Sequence, residues 1–187
     1  MPVAFHVLTT GYAHDRVAST VTLLTEDDTV AVVDPGMVAD RRLILGPLAK
    51  LGIEPQEVTD VVFSHHHPDH TLNAALFPEA RFHDHMAVYR DDIWEDRDAD
   101  GYAISPSITL MTTPGHTPED ISTIATTDQG LVVLTHLWWG AAGPADDPFA
   151  PDRDQLRAAR EKVLALNPAL IVPGHGAPFV PSPSTPL

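Results

Sequence analysis

The apolar positions of this chain fall in short runs, and most of those runs stop at Asp, Pro, Gly or His. Residues 3–10 and 17–25 are rich in Val, Leu and Thr and predict the opening strands of an antiparallel meander, with Glu26-Asp27-Asp28 as the turn. Thr29 to Val33 predicts a buried strand closed by Asp34-Pro35-Gly36. Leu43, Leu45, Leu48 and Leu51 recur at helical spacing over 40–51, between Asp40 as N-cap and Gly52 as stop, with Pro47 implying a kink. Further strands are predicted at 58–63, 80–85, 107–112, 121–126, 131–135 and 169–172, and helices at 70–77 and 154–166.

Polar stretches fill the gaps. Asp91 to Asp100 carries six acids around Trp94 and predicts a solvated loop, a lid using Trp94 or Tyr102 being the alternative. Residues 140–152 are rich in Gly, Ala, Pro and Asp and predict a loop. The pattern is strands first, then helix and strand in alternation, twice over. That predicts an α/β fold of two mainly antiparallel sheets packed face to face with helices on the outer faces. The expected domain is 1–180, and the Pro- and Ser-rich tail 181–187 is expected to be disordered.

Composition narrows the partners. Twenty-six acids against 11 Lys and Arg give a formal charge of −15, which argues against nucleic-acid or anionic-membrane surfaces. No apolar stretch is long enough to span a bilayer, and the first residues lack the basic and apolar regions of a secretory signal. A cytoplasmic location is therefore the expectation. Cysteine is absent, which removes disulfides and thiolate metal sites.

The chemistry concentrates in Ser64-His65-His66-His67-Pro68-Asp69-His70, of the form H-x-H-x-D-H, directly after the 58–63 strand. While the chain stays extended, His65 and His67 project to one face. Pro68 then turns the chain so that Asp69 and His70 approach from another side. Neutral imidazoles and a carboxylate converging in this way suit a borderline cation, with zinc the default and iron or manganese still open. Single histidines end other strands: His116 after Pro114-Gly115, His136 after Thr135, and His175 after Pro173-Gly174. Their recurrence is expected if those strand ends meet at one sheet edge. Asp34 reads equally as a turn residue or as a carboxylate holding a ligand histidine. His83 and His85 share a strand face; with no third ligand nearby in sequence they read as ordinary strand-end residues, a second metal pair being the alternative.

With these motifs in this order, the sequence resembles the metallo-β-lactamase superfamily over nearly its whole length. The segment Ile171 to Phe179 is most similar to the subfamily of metallo-β-lactamase-domain-containing protein 1. The resemblance implies an αββα sandwich with the metal site at one sheet edge. It implies one metal on His65, His67 and His116, and a second on Asp69, His70 and His175. Most non-lactamase members place a bridging aspartate where this chain has His136, so His136 is an open question as a ligand. That departure argues against the persulfide-dioxygenase branch, which uses the aspartate on a single iron.

The expected reaction is hydrolysis by a hydroxide held on the metal and oriented by Asp69, a second metal steadying the departing group. A small ester, thioester or lactone is the expected substrate, with a β-lactam within reach. Trp138 and Trp139, followed by Phe149, could wall an apolar pocket, or could serve as core or dimer contacts. A homodimer is left open. The competing readings are a phosphodiesterase or nuclease of the same fold, and a metal-binding protein without turnover.

Overall fold

The computed structural model describes residues 2–187. The first sheet has seven strands: β1 (Ala4–Thr9), β4 (Val21–Glu26), β5 (Thr29–Val33), β6 (Asp60–Val62), β7 (Arg81–His83), β8 (Ala87–Arg90) and β9 (Ile93–Asp96), side by side in that order. Between β1 and β4 the chain makes a small hairpin from β2 (Tyr12–Ala13) and β3 (Val17–Ala18). The second sheet runs β10 (Ala103–Ser105), β11 (Ile108–Thr112), β12 (Ile121–Thr127), β13 (Gly130–Thr135) and β14 (Leu170–Pro173). Neighbouring strands are antiparallel except β5–β6, β6–β7 and β13–β14.

Why the strands read as unbroken apolar runs is now clear. Both faces of their central portions are buried. Leu24, Val33 and Val62 point between the sheets and meet Ile108, Leu110, Val132 and Val172. Their chain neighbours Leu23, Val32 and Val61 point outward and pack on Ile44 and Leu48 of α1 (Arg42–Lys50). On the other sheet, Val133 and Ile171 pack outward on Leu156 and Val163 of α3 (Arg153–Ala165). The Asp152 side chain caps α3 by accepting from the Asp154 and Gln155 amides at 2.9 and 3.0 Å. The result is the expected α-β-β-α layering.

Three predicted elements differ. The strand expected over 17–25 is divided between β3 and β4, which lie in different sheets. The helix expected over 70–77 is a single turn, α2 (Pro68–Thr71), followed by a short 3-10 turn at Ala74–Leu76. There the chain follows the ligand loop instead of lying on a sheet, so no long apolar face is needed. The loop expected over Asp91 to Asp100 contains β9, the edge strand of the large sheet, whose four residues are all exposed. Acidic side chains suit an edge strand because they discourage pairing with another chain. Trp94 stacks on Tyr89 with centroids 5.0 Å apart and planes 8° apart, and Tyr102 packs against the inter-sheet core. Neither forms a lid.

Candidate metal centre

The strand ends converge as their histidines foretold. Beyond β6 the chain bends at Ser64 to His66, yet the His65 and His67 rings meet with centroids 4.6 Å apart while His66 turns the other way, toward Asp84. Pro68 occupies the first turn of α2, where its missing N–H is not needed, and swings Asp69 and His70 back toward the same point. His116 comes from the turn between β11 and β12, His136 follows β13, and His175 follows β14. Two glycines permit the close fit. A Cβ on Gly36 would lie 1.6 Å from the Asp69 carbonyl oxygen, so the Asp34-Pro35-Gly36 turn can lie against the ligand loop only as glycine. A Cβ on Gly174 would lie 2.4 Å from Cδ2 of His136.

The donor atoms cluster in two overlapping groups. His116 Nε2 lies 3.2 Å from His67 Nδ1, with His65 beside them at 4.6 and 5.0 Å between ring centroids. Asp69 Oδ2 lies 3.4 Å from His70 Nε2 and 3.5 Å from His175 Nε2. His136 stands between the groups, its Nε2 3.0 Å from His175 Nε2 and its ring 4.2 Å from that of His116. Donor triplets that could hold a metal ion form from His65, His116 and His136, and again from His70, His136 and His175. His136 is common to both.

The arrangement fits a tetrahedral cation. Bonds of 2.0–2.1 Å in a tetrahedron put neighbouring donors about 3.3 Å apart, close to the separations just given. His65 Nε2, His70 Nε2 and His136 Nδ1 are buried and have no hydrogen-bond partner among the described residues. Buried nitrogens are normally paired, so several orphans at one point favour an ion.

Outer partners set the ring tautomers. A carboxylate or carbonyl oxygen can only accept, so the ring nitrogen facing it carries the proton. His70 Nδ1 donates to Asp34 Oδ2 at 2.8 Å, His116 Nδ1 to Asp147 Oδ2 at 2.8 Å, and His175 Nδ1 to the Ala18 carbonyl at 2.9 Å. Each bond leaves Nε2 with its lone pair directed inward. Asp34 also accepts from the Ser64 amide at 2.7 Å, tying the ligand loop to β5. Of its two sequence readings, the structure gives Asp34 the histidine contact.

Charge is balanced locally. Burial, then the neighbouring imidazoles, push His65 and His136 far below the ordinary histidine range. Burial also opposes charge on His70, but the Asp34 and Asp69 carboxylates win and raise it to about 9. Asp69 is desolvated, yet the His70 ring, whose Nε2 lies 3.4 Å away, lowers it to about 2. Without metal, therefore, His70 is a cation between two carboxylates, and an ion at this point would displace its proton.

Above the donors opens a cavity of about 500 Å³ lined by His67, Asp69, His116 and His175, with Trp139, Phe149 and Val17 among its walls. Trp139 and Phe149 stack with centroids 5.9 Å apart, and Phe149 is 64% exposed. Trp138 does not belong here. It is fully buried beneath α3 with Arg160 over its ring, and its Nε1 donates to the Pro186 carbonyl in the tail at 2.8 Å. The two tryptophans lie past the turn that follows β13, one reaching the cavity and the other the core.

Sequence reasoning missed Asp147 and the β2–β3 hairpin. Asp147 binds His116 and also accepts from Trp139 Nε1 at 3.0 Å, so it orients a donor ring and a cavity wall together. It lies in the Gly/Ala/Pro/Asp-rich 140–152 segment, where no spacing distinguishes it from Asp146.

Comparison with known proteins identifies the family. The family profile described as the Metallo-beta-lactamase superfamily matches residues 14–91. A Xenopus laevis protein named Metallo-beta-lactamase domain-containing protein 1 is 30% identical, over 95% of this chain and 82% of its own length. The chain belongs to the metallo-β-lactamase superfamily. The Homo sapiens protein of the same name is 33% identical over 79% of the chain, but that match spans only 58% of the human protein. Among superfamily structures, a Thermotoga maritima protein assigned as a metallo-beta-lactamase matches with TM-score 0.77 and 22% identity, covering 97% of this chain and 100% of that one. A quorum-quenching N-acyl homoserine lactone lactonase matches with TM-score 0.67 and 20% identity, covering 92% and 91%. At such identities these two structures speak for the fold. No helix among the described residues is long and apolar enough to cross a membrane.

Proposed function

We propose that the chain is a zinc-dependent hydrolase of small esters, thioesters or lactones whose acyl part is apolar. The observation that carries this reading is the convergence of five histidines in two donor triplets, with His67 and Asp69 beside them, at the base of an aromatic-walled cavity. His65, His67 and His116 would hold one ion, and Asp69, His70 and His175 a second. A zinc ion so held lowers the pKa of a bound water to about 7 and polarises a carbonyl oxygen.

The chain's own residues supply the rest. Asp69 remains ionised at neutral pH, since it is lowered to about 2, and so can accept a hydrogen bond and orient the attacking water. Asp34 and Asp147 hold His70 and His116 with lone pairs inward. Trp139, Phe149 and Val17 offer the acyl group an apolar wall and exclude water around the reacting carbonyl. The formal charge of −15 disfavours a polyanionic substrate such as a nucleic acid, and the apolar wall suits a small carboxylic substrate. The lactonase likeness is consistent with this substrate class.

His136 is the chain's own departure. A neutral imidazole offers one lone pair, so we assign it as a terminal ligand to one ion and not as a shared anion between two. The test is hydrolysis of ester, thioester and lactone panels by the zinc-loaded chain and by His136→Asp. Turnover that is lost on chelation, restored by zinc and weakened in His136→Asp supports the reading. Activity in His136→Asp against none in the parent would instead mark a metal-binding protein that has lost turnover.

A further inference from the structure

We propose a second, separate cation site on the outer side of the ligand loop, formed by His66, Asp84 and His85, for a late first-row divalent ion such as Zn²⁺ or Ni²⁺. It goes beyond the hydrolytic reading and does not depend on it.

The site follows from the alternation that builds the main centre. His65 and His67 point inward, so His66, between them, points out toward the turn between β7 and β8. In that turn Asp84 is buried and fixed: its Oδ1 accepts from the Met86 and Ala87 amides, each at 2.8 Å. That leaves Oδ2, which is buried, accepts no well-formed hydrogen bond and lies 3.2 Å from His66 Nε2. His85 completes the group with its ring centroid 5.9 Å from that of His66, and the three donor atoms lie within 4.8 Å of one another.

The tautomer logic of the main centre recurs. Glu119 Oε2 lies 3.3 Å from His66 Nδ1 and Asp84 Oδ2 lies 3.2 Å from Nε2, so each ring nitrogen faces an acceptor. The Nε2–Oδ2 separation is close to the tetrahedral edge of about 3.3 Å, so an ion in place of the Nε2 proton fits between them. Two acceptors so placed need a cation between them, and the competitor for the place is a second proton on His66. Arg97, within Coulombic reach of Asp84, is the opposing charge. Two imidazoles and one carboxylate, with no thiol, select zinc, nickel or copper over magnesium or calcium. Half-exposed donors leave the remaining positions to water. An ion there would clamp the ligand loop to the β7–β8 turn from outside.

The test is equilibrium dialysis of the metal-free chain against rising Zn²⁺, with elemental readout, for the parent and for His85→Ala. The parent should bind one ion more per chain than His85→Ala, or bind its last ion at least tenfold more tightly. Identical isotherms would overturn the proposal. A second measurement guards against a misfolded variant. The parent is first loaded with zinc and dialysed against a weak chelator, with elemental readout, until only the more tightly held ions of the main centre remain, and Ni²⁺ is then added while histidine ring resonances are followed by NMR. Selective broadening of His66 and His85 supports the site, and unbroadened His66 and His85 signals contradict it.

Discussion

His70 and His83 are both fully buried, and each has one ring nitrogen 2.8 Å from an aspartate, Asp34 for His70 and Asp60 for His83. Each also has a second nitrogen with no hydrogen-bond partner among the described residues. The difference lies in what that second nitrogen faces. His70 Nε2 looks toward Asp69, and the rings of His65, His136 and His175 surround it at 4.4 to 5.1 Å. His83 has only the Tyr102 ring among its ring contacts, at 5.7 Å, and its aspartate is saturated by Arg81 and Thr59 as well. Charge follows the surroundings. Two carboxylates raise His70 to about 9, whereas burial lowers His83 despite Asp60. An orphaned histidine nitrogen marks a site only where other donors converge on it.

The sharpest way to break the comparison is to remove the inward nitrogens. His65→Ala and His70→Ala should each lose at least one ion per chain and lower turnover by at least about a hundredfold. Retention of metal and rate in both variants would place the chemistry elsewhere. Next in size are the outer carboxylates. Asp34→Asn and Asp147→Asn should each weaken zinc affinity about 10- to 100-fold, measured by competition with a chromophoric chelator, with the fold kept. Trp139→Ala should raise KM for a long-chain ester by up to about tenfold and leave that for an acetyl ester nearly unchanged. Equal effects on both esters would mean the ring positions Asp147 and does not bind substrate.

The smallest effect on the metal should come from His83→Gln: none. That variant should lose stability, by about 1–3 kcal/mol in urea unfolding, because the buried Asp60 carboxylate loses a hydrogen-bond donor. Asp60 also gives the pH sign. It is desolvated, but the His83 hydrogen bond leads the effects that hold it below the ordinary carboxylate range. Its contribution is therefore present above the unfolded carboxylate pKa of about 3.9 and is lost as pH falls through the lower folded value. Asp60→Asn should flatten that acid limb of the stability profile.

Much of this was legible in the chain. Runs such as Val61-Val62 and Val132-Val133 read as strands because both of their faces are covered, and the H-x-H-x-D-H spacing fixes which side chains turn inward. The unread parts depend on long-range position. Nothing local separates Asp147 from Asp146, or Trp138 from Trp139; the side each residue takes is decided by where α3 packs. The acidic run at 91–100 has the composition of a loop, and only its pairing with β8 makes part of it a strand.

The most direct test is the metal content per chain of protein purified without added metal, measured by elemental mass spectrometry for the parent, His70→Ala and His83→Gln. The account predicts zinc in the parent and in His83→Gln, with loss in His70→Ala. A parent that holds no metal and takes up none on addition, or a His70→Ala chain as fully loaded as the parent, would contradict it.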